Sequence, residues 1–240
     1  MMTPRTKSWL QLCRAPNLFT VPGDPLAGCL LAAGSGAIFG PGLAAVILAS
    51  LCFYIFGLLL NDIMDLPEDR HERPSRPLPS GAVKPAHAAL AAAFTACAGL
   101  AVCAFAGKKV LICGAAIVIA VAAYDCGIKK IPILGSLNMG ACRGLNVLLG
   151  AHLAPSFTAL SLIAAALVAA YITGVTLLAR TETKNPAIPP LIGKLIRALI
   201  LIQAALCAIA GGLAGWLCAA VLALALWPFS RMVGKKFYGS

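Results

Sequence analysis

"PGLAAVILASLCFYIFGLLLNDIMDLPEDR", residues 41–70, joins two chemistries without a spacer. Positions 41–60 carry no charged side chain. As a helix rising ~1.5 Å per residue, such a run crosses a hydrocarbon core of ~30 Å. Residues 61–72 then hold five of the chain's eight acidic residues, and "RHERPSRPLPSG" (70–81) follows with arginines and prolines. Ionised groups placed directly against an apolar span are expensive at a membrane boundary and tend to be functional.

The same alternation extends through the whole chain. Its 240 residues are 60% hydrophobic and 11% charged, with a mean hydropathy of +0.92. A soluble domain of this length cannot hide so much apolar surface. Apolar runs near 17–37, 41–62, 86–106, 109–126, 133–153, 157–179, 190–210 and 212–230 predict an all-α polytopic membrane protein, a bundle of eight transmembrane helices. No linker divides it, so residues 1–240 are expected to form one membrane domain. The N-terminus has basic residues but no cleavage site behind a short apolar core, so the first helix is expected to be retained. The ten cysteines form no C-x-x-C pair and fall mostly inside apolar segments, which suits small buried hydrophobes better than a disulfide frame or a zinc site.

The net charge of +11 is not a nucleic-acid signature, because no basic run is interleaved with aromatics. The cations lie between the spans instead. With the N-terminus inside, 16 of the 19 Lys and Arg residues fall on inside segments. The positive-inside rule then predicts both termini and the polar loops 62–85, 127–132 and 180–189 on the cytoplasmic side. The acidic cluster belongs to that side.

Asp62, Asp65 and Asp69 are spaced i, i+3, i+7, which on a continuous helix puts them on one narrow face. Converging carboxylates are hard oxygen ligands suited to Mg²⁺, which commonly binds through one or two carboxylates plus substrate phosphates. Pro67 removes a backbone donor and is expected to kink the chain between them. The alternative is a solvated loop whose acids pair with Arg70, Arg73 and Arg76.

Asn61-Asp62-Ile63-Met64-Asp65, extended to Asp69, resembles the N-D-x-x-D-x-x-x-D signature of UbiA-type intramembrane prenyltransferases. Arg76-Pro77-Leu78-Pro79-Ser80-Gly81 resembles the R-P-[IL]-P-S-G that follows it there. Arg14-Ala15-Pro16-Asn17 is similar to the family's R-x-P-N entry to helix one, and Tyr124 with Lys129 to its Y-x(n)-K element. The resemblance implies a helical bundle around a central cavity open within the membrane. It implies Mg²⁺-dependent transfer of a prenyl group from an allylic diphosphate to a lipophilic, often aromatic, acceptor. By position, Asn61, Asp62, Asp65 and Asp69 would hold metal. Arg73, Arg76 and Lys129 would contact diphosphate, with Tyr124 and Asn17 nearby.

The chain departs from that family at the end of its sixth span. "YITGVTLLARTETKNPAIPP" (171–190) has no aspartate where a second aspartate-rich signature is expected. Glu182 is the one candidate there for a metal, and Arg180 could supply guanidinium charge instead; the alternative is a loop ion pair between them. The fifth span carries Asn138, Arg143 and Asn146, which either make structural hydrogen bonds or line the substrate cavity. Asp125 is either a base for the acceptor or a partner of Lys129 or Lys130, and Asp24 is expected to satisfy backbone groups freed at a kink in the first span. Family members commonly have nine spans, and the chain ends just past its eighth. A second function therefore competes with catalysis: a protein of the same fold that binds or helps move a prenylated or lipid-linked compound without transferring it. A phosphotransferase using nucleotide-activated alcohols is disfavoured, because no D-G-x-x-A-R run occurs.

Overall fold

The computed structural model describes residues 3–33, 40–181 and 188–238, and among these there is no strand. A short helix α1 (Pro4–Leu12) leads through a 3-10 turn (Ala15–Thr20) into α2 (Gly23–Ala33). Then come α3 (Pro41–Met64), α4 (Leu66–Glu72), α5 (Pro85–Ala106), α6 (Lys108–Cys126), α7 (Pro132–Ala151), α8 (Ala159–Ala179) and α9 (Ile188–Ala210). The last span runs from α10 (Gly212–Val221) through a π turn into α11 (Trp227–Tyr238).

Among the described residues, six helical segments are long and apolar enough to cross a membrane: α3, α5, α6, α8, α9 and Gly212–Val233. The other two expected spans are α7, whose polarity is raised by Asn138, Arg143 and Asn146, and the 17–37 segment, where the described helix is α2 alone. Large apolar residues on these helices point outward, among them Phe94, Phe105, Ile119 and Leu224. A surface this apolar suits lipid, not water.

Proline and glycine set the boundaries. Pro41, Pro85 and Pro132 each open a helix in its first turn, where the missing N–H would have no partner anyway. Pro67 does the same for α4, so α3 ends at Met64 and the chain bends at Asp65. Helical bonding nevertheless continues through the bend: Asp65 N–H donates to the Asn61 carbonyl and Asp69 N–H to that of Asp65. The three aspartates therefore stay within two turns of one another.

Helix α7 is central, packed against α2, α6 and α8, and it achieves this with small residues. A Cβ on Gly28 would collide with the Val147 carbonyl, one on Gly150 with the Pro25 carbonyl, and one on Gly140 with Thr173 and the Ala169 carbonyl. Backbones this close are the packing mode of membrane helices, where shape replaces the hydrophobic effect as the driving force. Leu30, Val147, Val168, Leu199 and Ile200 fill the core between α2, α7, α8 and α9, and Phe53, Cys103 and Ile117 that between α3, α5 and α6. Gly150→Val is expected to cost about 1–3 kcal/mol or more by overpacking. Gly174→Ala, which meets open space, should leave stability unchanged or raise it. Thermal unfolding in detergent compares the two.

Candidate functional site

The acids at the end of α3 and in α4 do not stand as a bare cluster. Asp62, Asp65 and Asp69 are each matched to a cation from outside α3 and α4. Arg76 Nη1 donates to Asp69 Oδ2 at 2.7 Å, and Arg73 Nη1 lies 4.0 Å from Asp69 Oδ1. Arg14 Nη2 is 3.7 Å from Asp62 Oδ1. Lys129 Nζ donates to Asp65 Oδ1 at 2.5 Å and reaches Asp125 Oδ1 at 3.4 Å, so one ammonium bridges the end of α3 to the end of α6. Asn61 Nδ2 donates to the same Asp125 oxygen at 3.0 Å.

Local sequence explains these meetings. The R-P-L-P-S-G segment folds back on itself, with Ser80 N–H donating to the Arg76 carbonyl, Val83 N–H to that of Pro77, and Gly81 at φ +76°. That tight return brings Arg76 onto buried Asp69, seven residues earlier. Gly127 ends α6 and admits the one-turn 3-10 segment Ile128–Lys130, which swings Lys129 back toward Asp125. Burial works against the Lys129 ammonium, but the hydrogen bond and charge of Asp65, backed by Asp125, outweigh it and hold its pKa above the ordinary lysine value. With the folded value raised, the stabilisation is fully present below the unfolded pKa and is lost only as pH climbs through the raised one. The bridge is intact throughout the neutral range.

Arg180, at the C-terminal end of α8, closes this arrangement from the far side. Its Nη2 donates to the Lys129 carbonyl at 2.8 Å and its Nε to Ser136 Oγ at 3.2 Å. Gly135 leaves the room: a Cβ there would press on Arg180 Nη2 and on the Ile128 carbonyl. Glu182 lies outside the described residues.

Two cavities converge on Arg14. The outer one, about 270 Å³, is polar and lined by Arg14, Asp62, Ser75 and Arg76. The inner one, about 180 Å³, has Arg14, Asn61, Tyr124 and Asp125 among its lining, with Phe53 and Ile117 in its apolar wall and Arg143 and Asn146 also facing it. Arg14 adopts φ +42°, the one positive φ among described non-glycine residues. A left-handed backbone is unfavourable for arginine and persists where surrounding structure enforces it, often at ligand sites. Asn17 in the following turn lies close to Tyr54, another lining residue. Asn138 does not line the cavity: its Nδ2 donates to the Ala120 carbonyl at 2.8 Å and ties α7 to α6. Arg180 does not line it either, being spent on the Lys129 turn.

Deeper in the bundle lies a second charged network. Asp24 is fully buried and Arg143 only 8% exposed. Arg143 Nε sits 2.8 Å from Asp24 Oδ2, an ion pair whose N–H is not aligned for a hydrogen bond. Arg143 Nη2 donates to the Thr20 carbonyl at 2.7 Å, and Gln203 Nε2 donates both to that carbonyl and to Asp24 Oδ1. Asn146 accepts from Ser50 Oγ and donates to the Cys142 carbonyl at 2.9 Å. Sequence reasoning gave Arg14 no role beyond its motif and overlooked Gln203 and Tyr54. The signal for Gln203 was present: it is the one amide in the apolar run "LILIQAALCAIA" (199–210).

As metal ligands, the acids offer the right donor type. Among the described residues no three Asp, Glu, His or Cys side chains form a ready-made cluster. Mg²⁺ does not require one, since one or two carboxylates plus phosphate oxygens suffice, and Asp62 faces the outer cavity. Arg180→Ala removes two hydrogen bonds from a charged donor, each worth about 1.5–3 kcal/mol. It is expected to free the Lys129 turn, so that amine-reactive labelling of Lys129, mapped by mass spectrometry, speeds up while Lys84 labelling stays constant.

The family model described as UbiA prenyltransferase family matches residues 25–237. Over 150 residues the chain is 29% identical to digeranylgeranylglyceryl phosphate synthase of Methanopyrus kandleri, a match covering 60% of this chain and 52% of that protein. The enzyme of the same name from Methanococcus aeolicus is 36% identical over 86 residues, 34% of this chain and 29% of that one. The chain thus spans about half, or less, of the length of these curated relatives. A solved structure of digeranylgeranylglyceryl phosphate synthase shares the fold at TM-score 0.64 and 19% identity, covering 98% of this chain and 94% of that one. A UbiA homolog from Archaeoglobus fulgidus bound to DMAPP and Mg²⁺ aligns at TM-score 0.62 and 16% identity, covering 97% and 89%.

Proposed function

Because the chain belongs to the UbiA prenyltransferase family, we propose that it transfers an isoprenyl group from an allylic diphosphate to a lipophilic acceptor inside the membrane. The observation that carries this reading is the pair of chambers converging on Arg14, one polar beside Asp62 and Arg76, the other largely apolar. A diphosphate and the hydrocarbon attached to it need those two environments side by side.

In this reading Asn61, Asp62, Asp65 and Asp69 hold Mg²⁺, which when bound stabilises the negative charge gathering on departing diphosphate. Arg14, Arg73, Arg76 and Lys129 supply the matching cations, the arginines as planar forks suited to phosphate oxygens. The carboxylates paired here with Arg14, Arg76 and Lys129 would be the ligands of a bound metal, and those three cations would serve phosphate oxygens. Phe53, Tyr54 and Tyr124 present π faces that favour the positive charge developing on the allyl group. The inner chamber excludes water from that carbon, so the acceptor and not hydroxide captures it. Residues 1–240 act as a single membrane domain, with both termini and the acidic site on the cytoplasmic side. The low identities leave the acceptor of the relatives with the relatives.

A second reading is that the protein binds or moves a prenylated diphosphate without transferring it. Arg180 favours it, because a guanidinium stands at the end of α8 where facing carboxylates would complete a second metal site. Purified protein given geranyl diphosphate and Mg²⁺ separates the two. Under catalysis, Asp62→Ala or Asp65→Ala should lower diphosphate release by about 10²-fold or more, as loss of a residue essential to transition-state charge stabilisation does, while the chain stays folded. Donor binding with no diphosphate release across acceptors and metals would establish the second reading.

A further inference from the structure

Arg143 is the most buried cation facing the inner chamber, and its charge is already spent. Asp24 lies against its Nε, and Asp24's other oxygen is held by Gln203, so the carboxylate is fixed in place behind the guanidinium. Arg143 Nη2 gives a hydrogen bond to the Thr20 carbonyl. Nη1 makes no hydrogen bond with any described residue, although the side chain is only 9% exposed and lines the cavity. Its neighbour Asn146 is engaged through both ends of its amide, with Ser50 and the Cys142 carbonyl. What remains at this end of the chamber is an amino group with two N–H donors, no net charge around it, and an apolar wall that includes Phe53 and Ile117.

We propose that this Nη1 group is the specificity-determining contact for the acceptor, and that it selects an uncharged oxygen, a carbonyl or hydroxyl on a ring-sized molecule. An anion there would meet a cation that Asp24 has already neutralised, and would leave one buried negative charge uncompensated. A neutral oxygen accepts the two donors without that penalty. The size fits: a cavity of about 180 Å³ is of the order that holds a single aromatic ring. Gly23 belongs to the device, because a Cβ there would collide with the Gln203 side chain that pins Asp24. This inference rests on the prenyl-transfer reading only in naming the ligand an acceptor. The site itself can be tested without donor or turnover.

The test is photolabelling of the detergent-solubilised full chain with a matched pair, 4-azidoacetophenone and 4-azidobenzoate, adducts being mapped by mass spectrometry to chamber residues such as Tyr54, Met139 and Cys142. The ketone should label the chamber about tenfold more than the carboxylate, the factor corresponding to a modest difference in polar burial. Asp24→Asn exposes the guanidinium charge and should shift the preference to the carboxylate. The double variant Asp24→Asn/Arg143→Gln carries neither buried charge, so it remains informative if the single variant fails to fold, and it should lose the ketone adducts. Equal labelling or a carboxylate preference in the unaltered chain would overturn the proposal. So would an unchanged ratio in Asp24→Asn, ketone adducts persisting in the double variant, or no chamber adduct with either probe. Diphosphate release in the same preparations, measured with geranyl diphosphate, reports separately on the prenyl-transfer reading.

Discussion

The Lys129 ammonium holds the polar end of this protein together. It joins Asp65, at the bend between α3 and α4, to Asp125, at the end of α6. Without it, Asp65 and Asp125 would repel each other at a boundary where solvation is poor, since Asp62 and Asp69 have arginines of their own. The turn carrying it is fixed from three directions: Gly127 permits it, Gly135 leaves space beside it, and Arg180 holds its carbonyl. The cation thus supplies from within the fold the positive charge that Asp65 and Asp125 share.

The second constraint works at membrane depth. Asp24, Arg143, Gln203 and the Thr20 carbonyl tie α2, α7 and α9 to the 3-10 turn through charged and amide groups in an apolar surrounding. Removing one partner of such a pair commonly costs about 3–5 kcal/mol, because the other is left buried and uncompensated. Close glycine packing of α7 against α2 and α8 makes the network reachable, since Arg143 and Asp24 can meet only where the helix backbones nearly touch. Shape and charge are therefore coupled: the glycines set the distance that the ion pair uses.

Much of this was legible in the sequence, for physical reasons that differ by residue. The apolar runs and their Pro and Gly borders gave the helices, because a bilayer forces the backbone to satisfy itself. Asp62, Asp65 and Asp69 share a helix face by their spacing, and Arg76 enters through the resemblance of residues 76–81 to R-P-[IL]-P-S-G, both short-range properties of the chain. The kink at Pro67 came out as a bend at Asp65 with helical bonding carried across it. Partnerships between distant segments could not be read. Asp24 is expected to satisfy backbone groups freed at a kink, yet its side-chain partners lie on α7 and α9. Asn138, with a structural hydrogen bond and the substrate cavity both open to it, ties α6 to α7, and Arg180, expected either to bring charge to the substrate side or to pair with Glu182, serves the Lys129 turn. Arg14 gained its place through a left-handed backbone that no propensity predicts. Such pairings depend on how helices are rotated about their axes, and a single sequence with this much alanine and glycine leaves that rotation weakly specified.

We propose that the acidic end is one metal–diphosphate site, with Arg14, Arg76 and Lys129 as its own cations. Calorimetric titration with a geranyl thiolodiphosphate, which binds but resists cleavage, tests it directly. The analogue is expected to bind tightly only when Mg²⁺ is present, Mg²⁺ alone to bind weakly, and Lys129→Met to weaken the ternary complex. Tight binding of the analogue in the presence of a chelator, or Mg²⁺-dependent binding untouched by Lys129→Met, would contradict it.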